Sequence, residues 1–384
     1  MQETRISAAV TPSLTRKLFN MAQTIGDDVI NLTLGDPDVL PPEAIRTAAC
    51  EAIMAGKTRY SANAGLIELR RAYAGFFARQ YGFAISPEKN ILTAVGGMEA
   101  LYLTLCATVE AGDEVIILGP YYVNYLQMIR MCGAEAVVVD RLGKDDAAVA
   151  ADIRAAVTEK TKAIIVNSPS NPAGDILSPA LLDDIADVVR SHGLWAVSDE
   201  VYSSLIYDGG KPDSLLLRPG MTERTVLIDS CSKRFAMTGW RVGFAVGPEA
   251  VIASMTKMQE NVAACAPLPS QYAAIKAYSG DVDYDYIREE YQHRRDIVAD
   301  AVAATPRLSC VRPQATFYCF VDISATGMDS ENFAYALLER EHVAVVPGIA
   351  YGEAYRHYVR IAFTLRRELL TEAMARIRRF CETL

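Results

Sequence analysis

Short, continuous runs of apolar and β-branched residues recur through the middle of the chain and predict buried strands. The runs show no alternation between polar and apolar positions, which is typical of strands covered on both faces. The predicted strands are residues 91–95, 114–118, 136–139, 163–167, 194–198, 225–229 and 242–246. Longer stretches with helical periodicity lie between several of them, at residues 98–110, 121–131, 145–158 and 179–191. Because strand–helix–strand units place their strands in parallel, the pattern predicts an α/β fold with a mostly parallel sheet sandwiched by helices.

The pattern changes after about residue 285, where a long charged helix is predicted over residues 286–304. Shorter strands and helices follow it, an order that indicates a smaller α+β domain. Prolines punctuate the chain before the main sheet begins, so the N-terminal residues are expected to join this smaller domain. We therefore predict a large domain over residues 42–285 and a small domain formed by residues 1–41 with 286–384.

Composition and charge exclude some classes of partner. The 384 residues are 51% hydrophobic and 22% charged, as in an ordinary globular protein, and the net charge is −9. A chain this acidic is a poor general binder of nucleic acid or of anionic membranes. No apolar run approaches the roughly 20 residues that span a bilayer, and the first residues lack the apolar stretch of a secretory signal. We therefore expect a cytoplasmic protein with no membrane or nucleic-acid partner.

The cysteines and histidines show no pattern that predicts a disulfide or a metal site. Eight cysteines are scattered through the sequence without a C-x-x-C pair, and the four histidines are far apart. The sequence therefore predicts free thiols in a reducing compartment and no bound metal.

Two short segments carry candidate chemistry. Gly96 and Gly97 separate a predicted strand from a predicted helix, a geometry that either cradles a phosphate at the helix start or merely makes a tight turn. Lys233 follows another predicted strand, where a partly desolvated lysine becomes a nucleophilic amine. Arg241 could supply a fork of donors to a phosphate. Taken singly, these two residues could also be a surface lysine and a structural arginine. The glycine fingerprint of nicotinamide dehydrogenases is absent from the sequence.

The segment around Lys233 resembles a known family. Its pattern, S-x-S-K-x-x-x-M-x-G-W-R, is similar to the cofactor-lysine segment of the class I and II aminotransferases, the fold-type-I enzymes that depend on pyridoxal phosphate (PLP). The resemblance extends in order along almost the whole chain. The matching segments are LTLGDPD (32–38), TRYSANAGLIELR (58–70), VGGMEAL (95–101), PYYVNY (120–125), NSPSNPAG (167–174), SDEVY (198–202), the lysine segment (229–241) and YVRIAF (358–363).

The resemblance implies PLP as cofactor and indicates which residues would contact the reactive atoms of the PLP ring. Lys233 would form the Schiff base with PLP and later move a proton as general base. Asp199 would pair with the pyridine nitrogen, with Glu200 as the less favoured alternative; Asp199 could otherwise be a helix N-cap. Asn171 and Tyr202 would hydrogen-bond the phenolic oxygen of the cofactor, although they could merely start a turn and fill the core.

Further residues would hold the ring, the phosphate and the substrate. Tyr122 corresponds to the aromatic residue that stacks on the ring. The phosphate would be bound by the backbone of Gly97 and Met98, the hydroxyls of Ser230 and Ser232, and Arg241.

Four positions bear on the substrate and the partner subunit. Tyr60 resembles the tyrosine that reaches the phosphate of the neighbouring subunit, which implies a homodimer with shared sites. Arg360 resembles the arginine that grips the substrate α-carboxylate, with Gly35 and Asn171 beside it.

One departure from the family bears on the substrate. Met98 stands where one bacterial aspartate aminotransferase subgroup carries a lysine that pairs with a substrate side-chain carboxylate. A thioether offers contact area without charge, so neutral or aromatic amino acids are expected to be better donors than aspartate. Alternatively, Met98 packs against the sheet and a distant arginine handles acidic substrates. The Thr15-Arg16-Lys17 segment is a candidate cation source for 2-oxoglutarate as acceptor.

The sequence therefore predicts an aminotransferase that moves the amino group of an L-amino acid to a 2-oxo acid in a ping-pong cycle. A PLP-dependent C–S β-lyase, or another eliminating or cyclising enzyme, would use the same residues differently. A non-catalytic PLP-binding sensor domain is a further alternative, but such proteins carry an N-terminal DNA-binding domain, and the aminotransferase pattern here starts within the first 40 residues.

Overall fold

The computed structural model of the protein describes residues 3–11, 14–26 and 28–384. Its helices are α1 (Arg5–Ala9), α2 (Leu14–Ile25), α3 (Glu43–Met54), α4 (Ile67–Tyr81), α5 (Gly96–Thr108), α6 (Val123–Met131), α7 (Asp146–Ala156), α8 (Pro179–His192), α9 (Cys231–Arg234), α10 (Glu249–Val262), α11 (Leu268–Ala277), α12 (Asp285–Ala304), α13 (Ser330–Glu341) and α14 (Arg367–Glu382). Its strands are β1 (Ile30–Asn31), β2 (Ile91–Ala94), β3 (Glu114–Gly119), β4 (Glu135–Asp140), β5 (Thr161–Asn167), β6 (Trp195–Asp199), β7 (Thr225–Ser230), β8 (Gly243–Val246), β9 (Ser309–Cys310), β10 (Tyr318–Asp322), β11 (Val343–Ala344), β12 (Val346–Pro347) and β13 (Tyr358–Ala362).

The central sheet contains the seven predicted strands. Among the described residues its order is β2-β8-β7-β6-β5-β3-β4. Strand β8 runs antiparallel to both of its neighbours, and the other pairs are parallel. The predicted α/β fold with a mostly parallel sheet is therefore confirmed.

Helices cover both faces of this sheet, which explains the continuous apolar runs. In β5, Ile164 packs into a cluster with Val149 of α7 and Ile185 of α8. The next residue, Ile165, points the other way and packs into a cluster with Leu105 of α5 and Met255 of α10. Since successive side chains of a strand point to opposite faces, both faces must be apolar.

A smaller antiparallel sheet follows the central one along the chain, with the order β12-β13-β10-β9. The apolar run at 343–347 divides into β11 and β12. Strand β11 pairs in parallel with β1, and β12 joins the smaller sheet. The pairing of β1 with β11 supports the predicted association of N-terminal and C-terminal residues, while the domain limits 42–285 and 1–41 with 286–384 stay a prediction.

The fold brings several chain segments to one edge of the central sheet. Strands β5, β6 and β7 all end there, at Asn167, Asp199 and Ser230. In sheets of this kind, ligands bind outside the carboxyl ends of the strands. In the part of the chain that is described, no helix combines the length and apolar character needed to cross a membrane.

Candidate active site

A cavity of about 540 Å³ lies at the carboxyl ends of these strands. Most site residues predicted from the sequence line it; Gly96, Tyr60, Lys17 and the alternative Glu200 do not. The lining includes Gly35, Gly97, Met98, Tyr122, Asn171, Asp199, Tyr202, Ser230, Ser232, Lys233, Arg241 and Arg360. The described residues contain no group of three or more histidine, cysteine, aspartate or glutamate side chains placed to hold a metal ion.

Lys233 lies in the short helix α9, which starts directly after β7. Its Nζ donates to the Gly35 carbonyl at 2.9 Å and lies 5.1 Å from the centre of the Phe317 ring. Burial disfavours the charged ammonium and lowers the pKa of Lys233 to about 8. The lysine therefore holds a substantial fraction of free amine near neutral pH, as a nucleophile or a base requires.

Asp199 faces the cavity from the end of β6 and is fully enclosed. The Tyr125 hydroxyl donates to its Oδ2 at 2.5 Å, and the Val201 N–H donates weakly to Oδ1 at 3.4 Å. Burial raises the pKa of Asp199 to about 6, although these donors oppose the rise. A carboxylate held in one orientation inside a cavity is suited to pair with a cationic ring nitrogen.

Glu200, the alternative partner, points away from the cavity. Its carboxylate accepts hydrogen bonds from Tyr81 at 2.7 Å, Ser198 at 2.7 Å and Ser214 at 2.5 Å. Burial raises its pKa to about 7, against the effect of the three hydroxyls. Of the two neighbouring acids, only Asp199 is placed to meet a ligand in this cavity.

Arg360, on β13, is 4% exposed and faces the same cavity. Its Nη1 donates to Asn171 Oδ1 at 3.0 Å and its Nη2 donates to the Thr33 carbonyl at 2.5 Å. Its guanidinium stacks over Tyr318 with 4.2 Å to the ring centre. Within the described residues its Nε has no hydrogen-bond partner. A buried guanidinium with unused donor capacity is suited to bind a carboxylate.

Tyr202 stands across the cavity floor beside Tyr318. Its hydroxyl lies 3.3 Å from the hydroxyl of Tyr318, and both rings are buried. The Tyr318 hydroxyl also leaves no room for a side chain at position 35, because a Cβ on Gly35 would lie 1.7 Å from it. The glycine is thus required by the close approach of the tyrosine.

The backbone of β8 lies very close to the backbone at the start of α5. A Cβ on Gly243 would lie 2.5 Å from the backbone nitrogen of Gly97, and one on Gly96 would lie 2.3 Å from Arg241 Nη2. Arg241 has a left-handed φ of 57°, an uncommon backbone conformation that tends to cluster at functional sites. Its guanidinium donates to the carbonyl of Thr238 at 2.8 Å. First-turn N–H groups of α5 and a guanidinium thus converge on one small space, which favours an anion.

Two hydroxyls lie beside the N–H groups of α5 and the guanidinium of Arg241, and together these groups are called the anion cradle. The Ser230 side chain caps α9 by accepting from the Ser232 N–H at 3.1 Å, and its hydroxyl donates to Ser232 Oγ at 2.8 Å. Both side chains line the cavity. Hydroxyls, N–H groups and a guanidinium are the donor set that phosphate oxygens accept from.

Tyr122 and Met98 form one wall of the cavity. The Tyr122 hydroxyl donates to Met98 Sδ at 3.5 Å, and Asn124 Nδ2 donates to the Tyr122 oxygen at 2.8 Å. Met98 therefore contacts polar side chains at the cavity and does more than pack against the sheet. The Thr15 and Arg16 side chains lie outside the described ones, and Lys17 lies 5.8 Å from the ring centre of Tyr335.

Tyr60 does not line the cavity of its own chain. It is 85% exposed, on a loop that is nevertheless fixed. Gln271 donates to Ser61 Oγ at 3.0 Å, and Gln259 donates to the Asn63 carbonyl at 2.6 Å. An aromatic ring held outward on an anchored loop is unusual for a monomer surface and is typical of a contact residue.

Sequence reasoning missed two tyrosines of the site. Tyr125 follows Tyr122 by three residues, and this spacing on a helix could have placed both on one face. Tyr318 contacts Arg360 and Tyr202, but nothing in the sequence links this strand to the cavity. Further cavity-lining residues were also missed, among them Thr33, Asn124 and Asn167.

Comparison with known proteins identifies the family. A sequence model described as aminotransferase class I and II matches residues 27–377. The aspartate aminotransferase of Pyrococcus abyssi is 40% identical, over 96% of this chain and 95% of that protein. The aromatic-amino-acid aminotransferase 2 of Thermococcus litoralis is 38% identical over the same shares.

Solved structures agree with this result. The aspartate aminotransferase from Thermus thermophilus with maleate superposes with a TM-score of 0.92, at 34% identity and with 100% of each chain covered. The names of these relatives agree with the predicted amino-group transfer rather than with the eliminating or sensor alternatives. The chain therefore belongs to the class I and II aminotransferases, and it is a PLP-dependent enzyme of fold type I.

Proposed function

We propose that Lys233 and Asp199 carry amino-group transfer in this enzyme, and that neutral or aromatic L-amino acids are its preferred donors. The observation that carries the first part is the shared enclosure of the two groups. Burial moves the pKa of Lys233 down to about 8 and that of Asp199 up to about 6. The Lys233 amine can therefore act as nucleophile and base near pH 7, while Asp199, with a pKa still below 7, supplies the buried carboxylate that a protonated ring nitrogen needs.

The residues present fit PLP. Gly243 and Gly96 let the backbone nitrogen of Gly97 and the guanidinium of Arg241 come close together, because a Cβ would lie 2.5 Å from the former and 2.3 Å from the latter. Ser230 and Ser232 line the same cavity and add hydroxyl donors. Together with the backbone of Gly97 and Met98, these hydroxyls and Arg241 would hold the phosphate. Asp199 would meet the ring nitrogen, Tyr122 would contact the ring face, and Asn171 with Tyr202 would bond its phenolic oxygen.

PLP, when bound, supplies an aldehyde carbon for amine exchange and a ring that accepts the electron pair left at the substrate Cα. Lys233 would hold that aldehyde carbon through Nζ and give it up to the incoming amino group. The freed Nζ could then take the proton from the substrate Cα and deliver it to the former aldehyde carbon, a 1,3-transfer across the nitrogen that joins the two carbons, because its lowered pKa suits both directions of transfer. The Gly35 carbonyl fixes where this amine points, since Nζ donates to it at 2.9 Å.

Asp199 would keep the ring nitrogen protonated. Tyr125 holds its carboxylate in place with a bond of 2.5 Å, so the charge is oriented before any ligand arrives. A fixed charge that is buried, as Asp199 is, acts more strongly than one in solvent. Arg360 would bind the α-carboxylate of every substrate through its free donor capacity, with Asn171 and the Gly35 backbone beside it.

The substrate preference follows from the charges of the cavity. Among its described lining residues, the cations are Lys233, Arg241 and Arg360, and the proposal already uses each of them. Asp36 adds a negative charge to the same lining. A distal carboxylate on the substrate would meet Met98 and this acid with no spare cation, whereas a neutral side chain would lose nothing.

We further propose that the enzyme works as a homodimer in the cytoplasm. Exposed Tyr60 has exposed apolar neighbours in sequence, among them Met54, which is 87% exposed. In the dimer, the Tyr60 hydroxyl would donate a hydrogen bond to the phosphate bound in the partner subunit. That phosphate would lie at the site formed by the start of α5, the two serines and Arg241. Free cysteines throughout the described chain support a reducing compartment.

Lys233→Ala is expected to lower the rate of amino transfer by about 10³-fold or more, because Lys233 is the sole amine among the described residues that line the cavity. Borohydride reduction of the PLP-loaded enzyme followed by peptide mapping should label Lys233 alone. Lys257→Ala, which removes an exposed lysine, serves as the matched control and should keep rate and label. A reducible PLP link in the Lys233→Ala variant would place the reactive amine elsewhere.

Aspartate is expected to have a kcat/KM about 10-fold or more below those of tyrosine and methionine, because its side-chain carboxylate finds no cation. Steady-state kinetics with one acceptor measure this ratio. Met98→Lys should raise kcat/KM for aspartate, while Met98→Leu, which keeps the wall uncharged, should not. A wild-type preference for aspartate would show that a cation outside the described lining decides the substrate.

Mixing Tyr60→Ala chains with Lys233→Ala chains tests the shared site. A mixed dimer contains one site with both native groups and one with neither, so activity at limiting PLP should exceed the average of the two separate variants. Mixing Lys233→Ala with Tyr60→Phe, which keeps the ring but not the hydroxyl, tests whether the hydroxyl is the donor. If the mixture only equals the average, Tyr60 does not act across an interface.

A further inference from the structure

Two cysteines far apart in the sequence meet between α5 and the end of α6. Cys106 lies in the last turn of α5, and Cys132 caps the C-terminus of α6. Their Sγ atoms are 3.6 Å apart, and both side chains are partly exposed. Neither residue lines the active-site cavity, and the proposed reaction uses neither of them.

We propose that Cys106 and Cys132 form a reversible disulfide when the enzyme meets hydrogen peroxide. A disulfide requires the sulfur atoms to close from 3.6 Å to about 2.05 Å. The two sulfurs come from the ends of two packed helices, where a small shift disturbs few backbone hydrogen bonds. The geometry therefore allows the bond without unfolding either helix.

Cys106 is the thiol that reacts first. The thiol of Cys132, and then the hydroxyl of Tyr102, donate to its sulfur and lower the pKa of Cys106 to about 7, although burial opposes this. The same contact raises the pKa of Cys132. Since the thiolate is the nucleophile, the pair has one reactive member and one that stays protonated until it is needed.

The chemistry balances with the peroxide as oxidant. The Cys106 thiolate attacks one peroxide oxygen, the O–O bond breaks, and Cys106 becomes a sulfenic acid while hydroxide leaves and is protonated to water. The Cys132 sulfur then attacks the Cys106 sulfur, the S–O bond breaks, and the oxygen leaves as a second water after taking the Cys132 proton. Two thiols lose two electrons in all, and one peroxide is reduced to two waters.

Cys132 would thereby protect Cys106 from irreversible damage. A sulfenic acid without a neighbouring thiol proceeds to sulfinic acid, which ordinary thiols do not reduce. A disulfide, in contrast, is returned to two thiols by a dithiol reductant. The pair thus makes the oxidation of this surface recoverable.

A second pair of cysteines offers an internal comparison. Cys319 donates toward Cys310 and lowers its pKa, but the strand register sets Cys310 opposite Val321, so Cys319 is its diagonal neighbour. Diagonal neighbours on antiparallel strands have Cβ atoms farther apart than a disulfide spans, about 7 Å against about 4 Å. Cys319 is also fully buried, so peroxide has little access to it.

The experiment treats the PLP-loaded enzyme with a small excess of hydrogen peroxide, quenches it, and maps its peptides without reduction. We expect a peptide pair joined through Cys106 and Cys132, about 2 Da lighter than the two thiol peptides together. Dithiothreitol should restore all eight free thiols. Cys310 and Cys319 should stay unlinked.

Variants separate the roles of the two sulfurs. In Cys132→Ser, Cys106 should gain about 32 Da as sulfinic acid and resist dithiothreitol, whereas in Cys106→Ser the thiol of Cys132 should survive the same treatment. Cys50→Ser, which removes an exposed thiol, is the control and should still form the bond. If Cys106→Ser or Cys132→Ser folds poorly, the alanine variants are used in their place. The peptide map of the wild-type enzyme tests for the disulfide without any variant.

The proposal is overturned if the wild-type map shows no Cys106–Cys132 link at a dose that oxidises other thiols. It is also overturned if Cys106 reaches sulfinic acid equally fast with and without Cys132.

Discussion

The burial of two ionisable groups in one cavity is the constraint on which the site depends. Water would hold the Lys233 amine almost wholly protonated and would ionise Asp199 without orienting it. Burial disfavours the charged form of both side chains, so the pKa of Lys233 falls and the pKa of Asp199 rises. Protein groups, rather than water, then contact and orient the two side chains. The central sheet makes this enclosure possible, since its strands end together and its helices seal both faces.

One N-terminal segment links the two parts of the site. The carbonyl of Gly35 accepts from Lys233, and that of Thr33 accepts from Arg360, so this segment contacts both the amine and the guanidinium. The Thr364 hydroxyl donates to Leu34 and the Thr238 hydroxyl to Asp36, which fixes the segment from both sides. The pairing of β1 with β11 brings the segment to this place. Its position explains why residues near the start of the chain matter to chemistry at position 233.

Much of the fold could be predicted from the sequence, for a physical reason. The strands of the central sheet have two buried faces, so they appear as continuous apolar runs that no surface element imitates. The division of residues 343–347 between two sheets could not be predicted, because its apolar pattern is unbroken and only tertiary pairing separates β11 from β12. The helices before β2 also carried no sequence prediction.

A local sequence pattern can indicate a residue type that a reaction requires, and the role of Lys233 is a prediction of this kind. Contacts that depend on packing between distant segments could not be predicted. Tyr125 and Tyr318 act through contacts with residues about 40 to 74 positions away, and a local sequence pattern cannot encode these. The ring of Tyr60 is exposed on the single chain, and its role at the site of a partner subunit stays a prediction.

The direct test of the account is the single-turnover rate of the half-reaction, in which a donor amino acid converts the PLP-loaded enzyme to its amino form, measured in Asp199→Ala. We expect this rate to fall by about 100-fold or more, because the oriented charge in the cavity is lost, with the fold preserved by circular dichroism. Glu200→Gln, beside it in sequence but facing away from the cavity, should stay within a few-fold of wild type. A near-wild-type rate in Asp199→Ala, or the larger loss in Glu200→Gln, would contradict the account.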